Sequence, residues 1–229
     1  MDARSAANET PSRQALARGR VLVCGAGGLG SWVLEMLARD GVGLGACGGF
    51  IRVVDPDVFE ESNLNRQLLA TRETIGQGKA LAAQQRISLV NGQVETQVAP
   101  QGLTGENALE LMAGCTVAVD ATDNVAARLA LEEAAEASGI TLVHGSVGGP
   151  YGQVAVVRPG DGLLRKLYQQ AAPPSRPTTA NAVAAVASLM AQACCSLLCG
   201  AGGEDPIPSN ALLTLNLHDL RQPCRLIRL

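Results

Sequence analysis

Aromatic residues are scarce in this chain and make up only 2% of its 229 residues. Proteins that bind single-stranded nucleic acid stack the bases on exposed aromatic rings, so this composition argues against binding of that kind. The chain also lacks an excess of basic residues, since 18 Lys and Arg stand against 21 Asp and Glu and the formal net charge is -3. The overall charge therefore attracts neither nucleic acid nor an anionic membrane, and we expect neither as a partner.

CxxC pairs, which hold zinc or form redox disulfides, are absent although the chain has seven cysteines. Their number is odd and most of them lie in apolar runs, so we interpret them as reduced, buried thiols. Residues 1–14 are polar and contain no apolar stretch of the kind found in secretion signals. We therefore expect a cytoplasmic protein.

Long apolar runs are also rare, and the one over residues 182–199 is either a membrane span or a core helix. Ser188, Gln192 and Ser196 recur every four residues, which places a polar stripe on one helical face. Much of the remainder is alanine, which drives membrane insertion weakly. We predict a core or subunit-interface helix.

Apolar runs alternate with turn residues along most of the chain. Strands are predicted over residues 21–24, 51–54, 94–98, 117–120, 141–144 and 153–157, and helices over residues 32–39, 79–89 and 125–138. This alternation predicts a Rossmann-like α/β fold with a doubly wound, mostly parallel sheet. The C-terminal helix and an antiparallel strand pair, residues 212–217 and 225–229, complete it.

No linker divides the chain, so we expect a single domain over residues 1–229. Residues 1–18 are predicted as a frayed or weakly helical N-terminal extension. Residues 159–180 are rich in proline and glycine and are predicted to form a long crossover loop.

A glycine-rich loop joins the first predicted strand to the first helix, where residues 24–31 read CGAGGLGS. Gly25, Gly27 and Gly30 fit G-x-G-x-x-G, in which the missing Cβ atoms let a phosphate approach the amides of a helix N-terminus. Asp55 ends the second predicted strand, where its carboxylate can accept hydrogen bonds from a ribose. NAD sites share this pattern, and such glycines can also serve close packing alone.

Two cations that follow Asp55 favour a triphosphate over NAD. Residues 55–67 read DPDVFEESNLNRQ and residues 76–80 read GQGKA, which supply Arg66 and Lys79. A departing pyrophosphate gains charge that fixed cations can stabilise, whereas the pyrophosphate of NAD is already served by the helix N-terminus. Asn63 and Asn65 can cap the following turn or orient Arg66. The alternative is that Arg66 and Lys79 are solvated surface charges.

A late acidic motif, DATDN, occupies residues 120–124 at the end of the predicted strand 117–120. The carboxyl end of a strand in an open α/β sheet faces the ligand crevice. Asp123 can hold Mg²⁺ there, with waters completing the octahedron. Alternatively, Asp123 or Asn124 caps the next helix, and one of the two can cap while the other binds metal.

In combination, these motifs resemble those of the ThiF/MoeB/HesA family, relatives of ubiquitin-activating enzymes. The similarity covers GAGGLGS, DPDVFEESNLNRQ, GQGK and DATDN and runs from about residue 20 to residue 157. It implies ATP- and Mg²⁺-dependent adenylylation of the C-terminal glycine of a small ubiquitin-like sulfur-carrier protein that ends in diglycine. The pathway implied is synthesis of a sulfur-containing cofactor of the thiamine or molybdopterin/tungsten type. A homodimer is also implied.

The resemblance further implies the residues of the site. Arg66, Lys79 and Asp123 are the implied catalytic groups, with Asp123 as the Mg²⁺ ligand. The implied ATP site consists of Gly25, Gly27, Gly28, Gly30, Asp55, Asp57, Ser62, Asn63, Asn65, Arg66, Lys79, Asp123 and Asn124.

The chain departs from the family's pattern at several points. The CxxC pairs expected near residues 164–168 and near Cys224 are missing, so we predict no zinc. Residues 171–179 contain no cysteine that could take up an acyl group or sulfur, and the cysteines of the C-terminal helix are interpreted as core. Arg4 and Arg13 are candidates for the arginine that a family N-terminal helix can supply to the partner. The role of residues 44–50, LGACGGF, is not assigned.

Two other functions stay open from the sequence. The missing cysteines and the short N-terminus are compatible with a non-catalytic nucleotide-binding scaffold of the same family. An NAD-linked oxidoreductase is disfavoured because no catalytic acid–base group stands out. His144 and His218 lie beside strand-like runs, and we interpret both as structural.

Overall fold

The computed structural model describes residues 11–168, 178–200 and 205–229. Within these residues, eight strands form a sheet in the order β3-β2-β1-β4-β5-β6-β7-β8. The strands are β1 (Arg20–Cys24), β2 (Phe50–Val54), β3 (Thr96–Ala99), β4 (Val117–Asp120), β5 (Thr141–Gly148), β6 (Tyr151–Val157), β7 (Ala211–Asn216) and β8 (Cys224–Arg228). The helices are α1 (Pro11–Ala17), α2 (Gly28–Arg39), α3 (Lys79–Val90), α4 (Ala108–Met112), α5 (Val125–Ser138), α6 (Leu163–Tyr168) and α7 (Ala180–Cys199).

The predicted α/β fold with a mostly parallel sheet is confirmed. Strands β1 to β5 pair in parallel, and β6, β7 and β8 extend the sheet as antiparallel strands. Helices cover both faces, which explains why the central strands are mostly apolar. Val21 and Val23 of β1 belong to the core beneath α2, α3 and α7. Leu22 and Cys24 point to the other core, beneath α4, α5 and α6.

Helix α6 lies inside the segment that the sequence predicts as a crossover loop. It has six residues, too few for a helical period to show in the sequence. The buried Glu132 of α5 holds its first turn, because the carboxylate accepts hydrogen bonds from the amides of Leu164 (2.6 Å) and Arg165 (3.0 Å). A carboxylate at this position satisfies amides that have no partner within the helix.

Helix α7 contains the apolar run that was weighed as a membrane span. Its length and its mean hydropathy of 1.9 would suffice for a span, yet half of that stretch is buried inside the protein. The helix packs against α2 and against β5 and β6. A Cβ atom added at Gly145 would overlap Met190, and one at Gly152 would overlap Val186, so α7 lies directly on the sheet. This packing supports the interpretation as a core helix.

Other boundaries differ from the predicted ones by a few residues. Helix α2 begins at Gly28 and not at residue 32, because the last glycines of the loop already form its first turn. Strand β5 continues to Gly148 and meets β6 in a hairpin. Arg4 and residues 171–177 of the predicted crossover loop lie outside the described residues, whereas Arg13 lies on α1, which packs against α7.

Candidate functional site

A pocket of about 550 Å³ opens at the carboxyl ends of β1, β2 and β4. Strand β1 lies between β2 and β4, so the chain runs to opposite sides of the sheet from this point. Open α/β sheets bind ligands where the strand order reverses in this way. Nine of the predicted site residues line the pocket: Gly25, Gly27, Gly28, Asp55, Asp57, Arg66, Lys79, Asp123 and Asn124.

The glycines of the loop divide into two kinds. Gly25 has a φ of +91°, and Gly30 lies so close to it that a Cβ atom on Gly30 would overlap the Gly25 carbonyl oxygen. These two glycines allow the loop to turn and the helix to approach it. Gly27 and Gly28 line the pocket at the N-terminus of α2, where no side chain caps the helix. The free amides there suit an anion.

Asp55 ties the glycine loop to the end of β2. Its Oδ2 accepts a hydrogen bond from the amide of Ala26 (2.6 Å), and its Oδ1 accepts one from the amide of Asp57 (2.9 Å). Burial raises the pKa of Asp55, and the two amide hydrogen bonds oppose that rise. Each oxygen keeps a second lone pair, so the carboxylate can shape the loop and still accept a hydrogen bond from a ligand in the pocket.

Lys79 is almost fully buried at the start of α3 and faces the pocket. Its Nζ lies 2.9 Å from Oδ2 of Asp57, whose side chain is 65% exposed. An exposed carboxylate is a weak partner for a cation because water screens the pair. A phosphate group can therefore take its place at little cost, which makes Lys79 an available cation for an anionic ligand.

Arg66 is braced by residues that do not line the pocket themselves. Its Nη1 donates hydrogen bonds to the Ser62 carbonyl oxygen and to Oδ1 of Asn65, both at 2.9 Å. The Asn63 side chain accepts a hydrogen bond from the amide of Glu60 (3.1 Å) and so closes the preceding turn. Ser62, Asn63 and Asn65 thus orient Arg66 in this structure, and direct contact between them and a nucleotide stays a prediction.

The sequence left open whether Asp123 or Asn124 caps the next helix. In the structure Asn124 is the cap and Asp123 is not. Oδ1 of Asn124 accepts hydrogen bonds from the amides of Ala126 (2.8 Å) and Ala127 (3.4 Å), so Asn124 is the N-cap of α5. Asp123 is exposed in the pocket wall and its carboxylate makes no hydrogen bond or ion pair with the described part of the chain. It is therefore free to bind a ligand or a cation.

A buried polar network that the sequence did not reveal lies against the same pocket. The carboxylate of Asp120 lies 2.7 Å from Nδ1 of His144, and Nε2 of His144 lies 2.9 Å from the Tyr168 hydroxyl. The guanidinium of Arg128 covers the Tyr168 ring at 4.7 Å, and its Nη2 donates to the Thr122 carbonyl oxygen at 2.7 Å. Both Arg128 and Thr122 line the pocket.

The ionisation of this network follows from its contacts. Burial alone would raise the pKa of Asp120, but the hydrogen bond from His144, with help from Arg128 and Thr122, lowers it below the usual value. Burial raises the pKa of Tyr168. The phenol therefore remains a donor, and the carboxylate remains an acceptor, at neutral pH.

No motif in the sequence marks this network, which depends on how strands β4 and β5 are aligned. Asp120 and His144 are direct neighbours on β4 and β5, but the pairing is visible only once both strands are placed. Gln67 was also missed as a pocket residue. It is buried beside Gly27, and its Oε1 has no hydrogen-bond partner among the described residues.

Three of the cysteines lie in surroundings that do not activate a thiol. Burial raises the pKa of Cys24, of Cys115 to about 11 and of Cys195 to about 12. A thiol is nucleophilic only as the thiolate, so these three are poor nucleophiles at neutral pH. Across residues 11–168, 178–200 and 205–229, no group of three or more His, Cys, Asp or Glu side chains is placed to hold a metal. The absence of zinc stays a prediction.

Comparison with known proteins places this geometry in a family. The family model described as "ThiF family" matches residues 3–228. A sulfur carrier protein adenylyltransferase of Thermus thermophilus is 38% identical over 214 residues, which are 88% of this chain and 76% of the relative. A sulfur carrier protein ThiS adenylyltransferase of Bacillus subtilis is 37% identical over 63% of this chain and 42% of its own length. A probable adenylyltransferase/sulfurtransferase MoeZ of Mycobacterium tuberculosis is 36% identical over 82% of this chain.

Solved structures share the fold. The crystal structure of Escherichia coli MccB with ATP has a TM-score of 0.76 and 16% identity, over 95% of this chain and 65% of that one. The crystal structure of PaaA has a TM-score of 0.77 and 20% identity, over 95% and 66%. The chain spans about half of the MoeZ relative, 49%, and less than that of the Bacillus relative. Taken with the glycine loop and the residues around it, the match over nearly the whole sequence shows that the chain belongs to the ThiF family.

Proposed function

We propose that this protein uses ATP and Mg²⁺ to adenylylate the C-terminal glycine carboxylate of a small ubiquitin-like sulfur-carrier protein. The proposal rests mainly on the set of groups that line one pocket. This pocket joins the N-terminus of α2, the cations Lys79 and Arg66, and the carboxylate of Asp123, which has no partner among the described residues. The names of the relatives, which describe adenylyltransferases of sulfur carriers, support the same activity.

The proposed reaction needs positioning and charge neutralisation but no nucleophile from the protein. A carboxylate oxygen of the carrier forms a bond to the α-phosphorus of ATP, and the bond from that phosphorus to the bridging oxygen breaks. Pyrophosphate leaves with the electron pair, and the carrier becomes an acyl-adenylate. Lys79 and Arg66 would bind the phosphate oxygens on which charge develops. The raised pKa values of Cys24 and Cys195 fit a reaction in which neither thiol is a nucleophile.

The residues of the pocket fit Mg²⁺ as part of an ATP complex. Mg²⁺ prefers oxygen ligands and often binds through one or two carboxylates, substrate phosphates and waters. Asp123 offers one exposed carboxylate in the pocket wall. Asp123 would hold the ion, which would supply positive charge to neutralise the phosphates.

Pyrophosphate exchange tests the proposal. The protein is incubated with ATP, Mg²⁺, labelled pyrophosphate and a ubiquitin-like protein that ends in Gly-Gly. We expect label to enter ATP only when the carrier is present and only when its last glycine is intact. A protein that binds ATP without exchange, with every diglycine-ended carrier of the same genome, would be a scaffold. Tight binding of NADH without binding of ATP would instead favour the oxidoreductase.

Further expectations accompany this proposal. We propose a homodimer in the cytoplasm, without bound zinc and without affinity for nucleic acid or membranes. The thiamine or molybdopterin/tungsten type of pathway would be decided by the carrier that supports exchange. Sedimentation analysis and elemental analysis of the purified protein test the dimer and the absence of zinc.

A further inference from the structure

Arg128 is the least explained charged residue of the pocket. It is 6% exposed, and its buried Nε has no hydrogen-bond partner among the described residues. The nearest anion, Oδ2 of Asp120, lies 3.8 Å from that nitrogen. Leaving a buried polar group unpaired costs free energy, and the described residues do not use the full donor capacity of this guanidinium, which lines the pocket.

Two contacts fix the plane of this guanidinium, and two more fix the tyrosine that covers it. Its Nη2 is occupied by the Thr122 carbonyl oxygen, and the Tyr168 ring covers one face at 4.7 Å. Tyr168 is itself fixed at its hydroxyl, which lies 2.9 Å from Nε2 of His144 and accepts a hydrogen bond from Nε2 of Gln153 at 2.8 Å. Because Nδ1 of His144 faces the Asp120 carboxylate, it carries the proton, and Nε2 accepts from the phenol.

The position of Arg128 differs from that of the other two cations. Lys79 and Arg66 come from the chain that follows β2, on one side of the glycine loop. Arg128 comes from α5, which follows β4, and lines the pocket together with Ser146 and Val147 of β5. In-line displacement at phosphorus requires the attacking oxygen to approach from the side opposite to the leaving pyrophosphate. If Lys79 and Arg66 hold the pyrophosphate, the attacking oxygen approaches from the part of the pocket that Arg128 lines.

We propose that Arg128 orients the attacking carboxylate of the carrier, and that Tyr168 and His144 are positioning residues that hold the Arg128 guanidinium in place. This inference rests on the proposed adenylylation. It assigns a function to a buried histidine and a partly buried tyrosine that lie beside the pocket. Neither positioning residue contacts the substrate in this account.

Conservative variants test it in the exchange assay. Tyr168→Phe removes the hydroxyl but keeps the ring on Arg128, and His144→Asn shortens the link to Asp120. We expect each to raise the half-saturating carrier concentration about tenfold, the effect of one lost charge-assisted hydrogen bond, while the half-saturating ATP concentration stays within about twofold. The chain has only two tyrosines, and Tyr151→Phe, on exposed Tyr151, is the matched control. His218→Asn serves in the same way for histidine.

A double variant shows whether Tyr168 acts through Arg128. In an Arg128→Lys background, Tyr168→Phe should have no further effect on the half-saturating carrier concentration, because the positioned group is gone. Full additivity of the two effects would overturn the inference. So would an unchanged carrier concentration in Tyr168→Phe, or an equal rise for ATP.

A measurement without carrier separates this inference from the proposed activity. The Nε–H proton of Arg128, observed by NMR in the protein alone, should exchange slowly with water in the wild type and faster in Tyr168→Phe. If the wild type catalyses no exchange with any carrier, the proposed function fails, and the NMR signal still decides whether Tyr168 holds Arg128. An unchanged exchange rate in the variant would overturn the positioning role.

Discussion

Lys79 and Lys166 are the two lysines of this chain, and they differ in burial and surroundings. Lys79 is 7% exposed in the pocket wall, whereas Lys166 is exposed on α6 and donates to the Asn210 side chain at 3.1 Å. A preorganised cation in a water-poor site stabilises developing charge far more than a solvated one. Lys166 therefore serves as a matched control for substitutions of Lys79.

We predict that Lys79→Ala lowers carrier-dependent pyrophosphate exchange by about a hundredfold or more, because the phosphates lose a fixed positive charge. The free energy of unfolding should change by only about 1 kcal/mol, since the partner Asp57 is exposed and keeps its water. Lys166→Ala should leave exchange within about twofold. Equal losses in the two variants, or unfolding of Lys79→Ala, would refute the assignment.

At the residue scale, the sequence predicted the parts of the site that lie in contiguous motifs. The glycine loop, Asp55 and Asp123 were predicted from their places at strand ends, and Arg66 and Lys79 as the cations that follow Asp55 in the motifs. Arg128 and Tyr168 belong to no such motif, since their meeting depends on how α5 and α6 pack. Sequence reasoning named His144 as structural, which agrees with its burial but gives no indication of its partners.

At the scale of elements, helices α2 and α3 are joined by one carboxylate. Glu35 of α2 accepts hydrogen bonds from Arg86 of α3 at 2.8 Å and from Arg39 of its own helix at 2.7 Å. The hydrogen bond from Arg86 is the main cause of the lowered pKa of Glu35, and burial opposes it. The resulting stabilisation is fully present above the pKa that glutamate has in the unfolded chain. It is lost as pH falls through the lower pKa of the folded state.

We predict that Glu35→Gln lowers the free energy of unfolding by about 1–3 kcal/mol at pH 7, because charge-assisted hydrogen bonds to both arginines are lost. The difference from the wild type should shrink as pH falls through the lowered pKa that Glu35 has in the folded state. Urea unfolding at several pH values measures both effects. Glu136→Gln, on the exposed face of α5, should show neither, and a pH-independent difference for Glu35→Gln would contradict the account.

Gly28 and Gly30, at the junction of the glycine loop and α2, differ in the space around them. Gly30 is required for packing, whereas Gly28 faces the pocket. A Cβ atom at Gly30 would overlap the backbone of Gly25, which cannot move away, whereas one at Gly28 would contact Val183 at an ordinary 3.6 Å. We predict that Gly30→Ala costs about 3 kcal/mol or more of stability, as severe overpacking does.

Gly28→Ala should behave in the opposite way. We expect its stability to stay within about 1 kcal/mol of the wild type. Its affinity for ATP should fall about tenfold, because the methyl group keeps phosphate from the helix amides. Calorimetric titration with ATP and urea unfolding distinguish the two glycines. Loss of stability in Gly28→Ala, or normal stability in Gly30→Ala, would show that their roles are misassigned.

Helices and strands were predicted correctly from the sequence where they are long enough to show a clear apolar pattern. Strand β4 and helix α5 have the predicted bounds, because an apolar run, an N-cap residue and a closing glycine mark both ends. Helices α4 and α6 were not predicted. They have five and six residues, and tertiary contacts such as Glu132 on α6 stabilise them more than their own sequence does.

At the scale of the whole molecule, the sheet has a parallel half and an antiparallel half with different tasks. The parallel half places the glycine loop, Asp55 and Asp123 at one edge, as predicted from the order of motifs. The antiparallel strands β6 to β8 extend the sheet beyond β5, and β8 is exposed along its length. The sequence predicted the strand pair that corresponds to β7 and β8. It did not indicate that these strands would join the same sheet as the parallel strands.

A crystal structure with a non-hydrolysable ATP analogue and Mg²⁺ tests the central claim most directly. The account predicts that the triphosphate lies against the N-terminus of α2, that Lys79 leaves Asp57 to contact phosphate oxygens together with Arg66, and that Mg²⁺ binds to Asp123. A nucleotide bound elsewhere, or a triphosphate in the pocket with Lys79, Arg66 and Asp123 all turned away from it, would contradict the account.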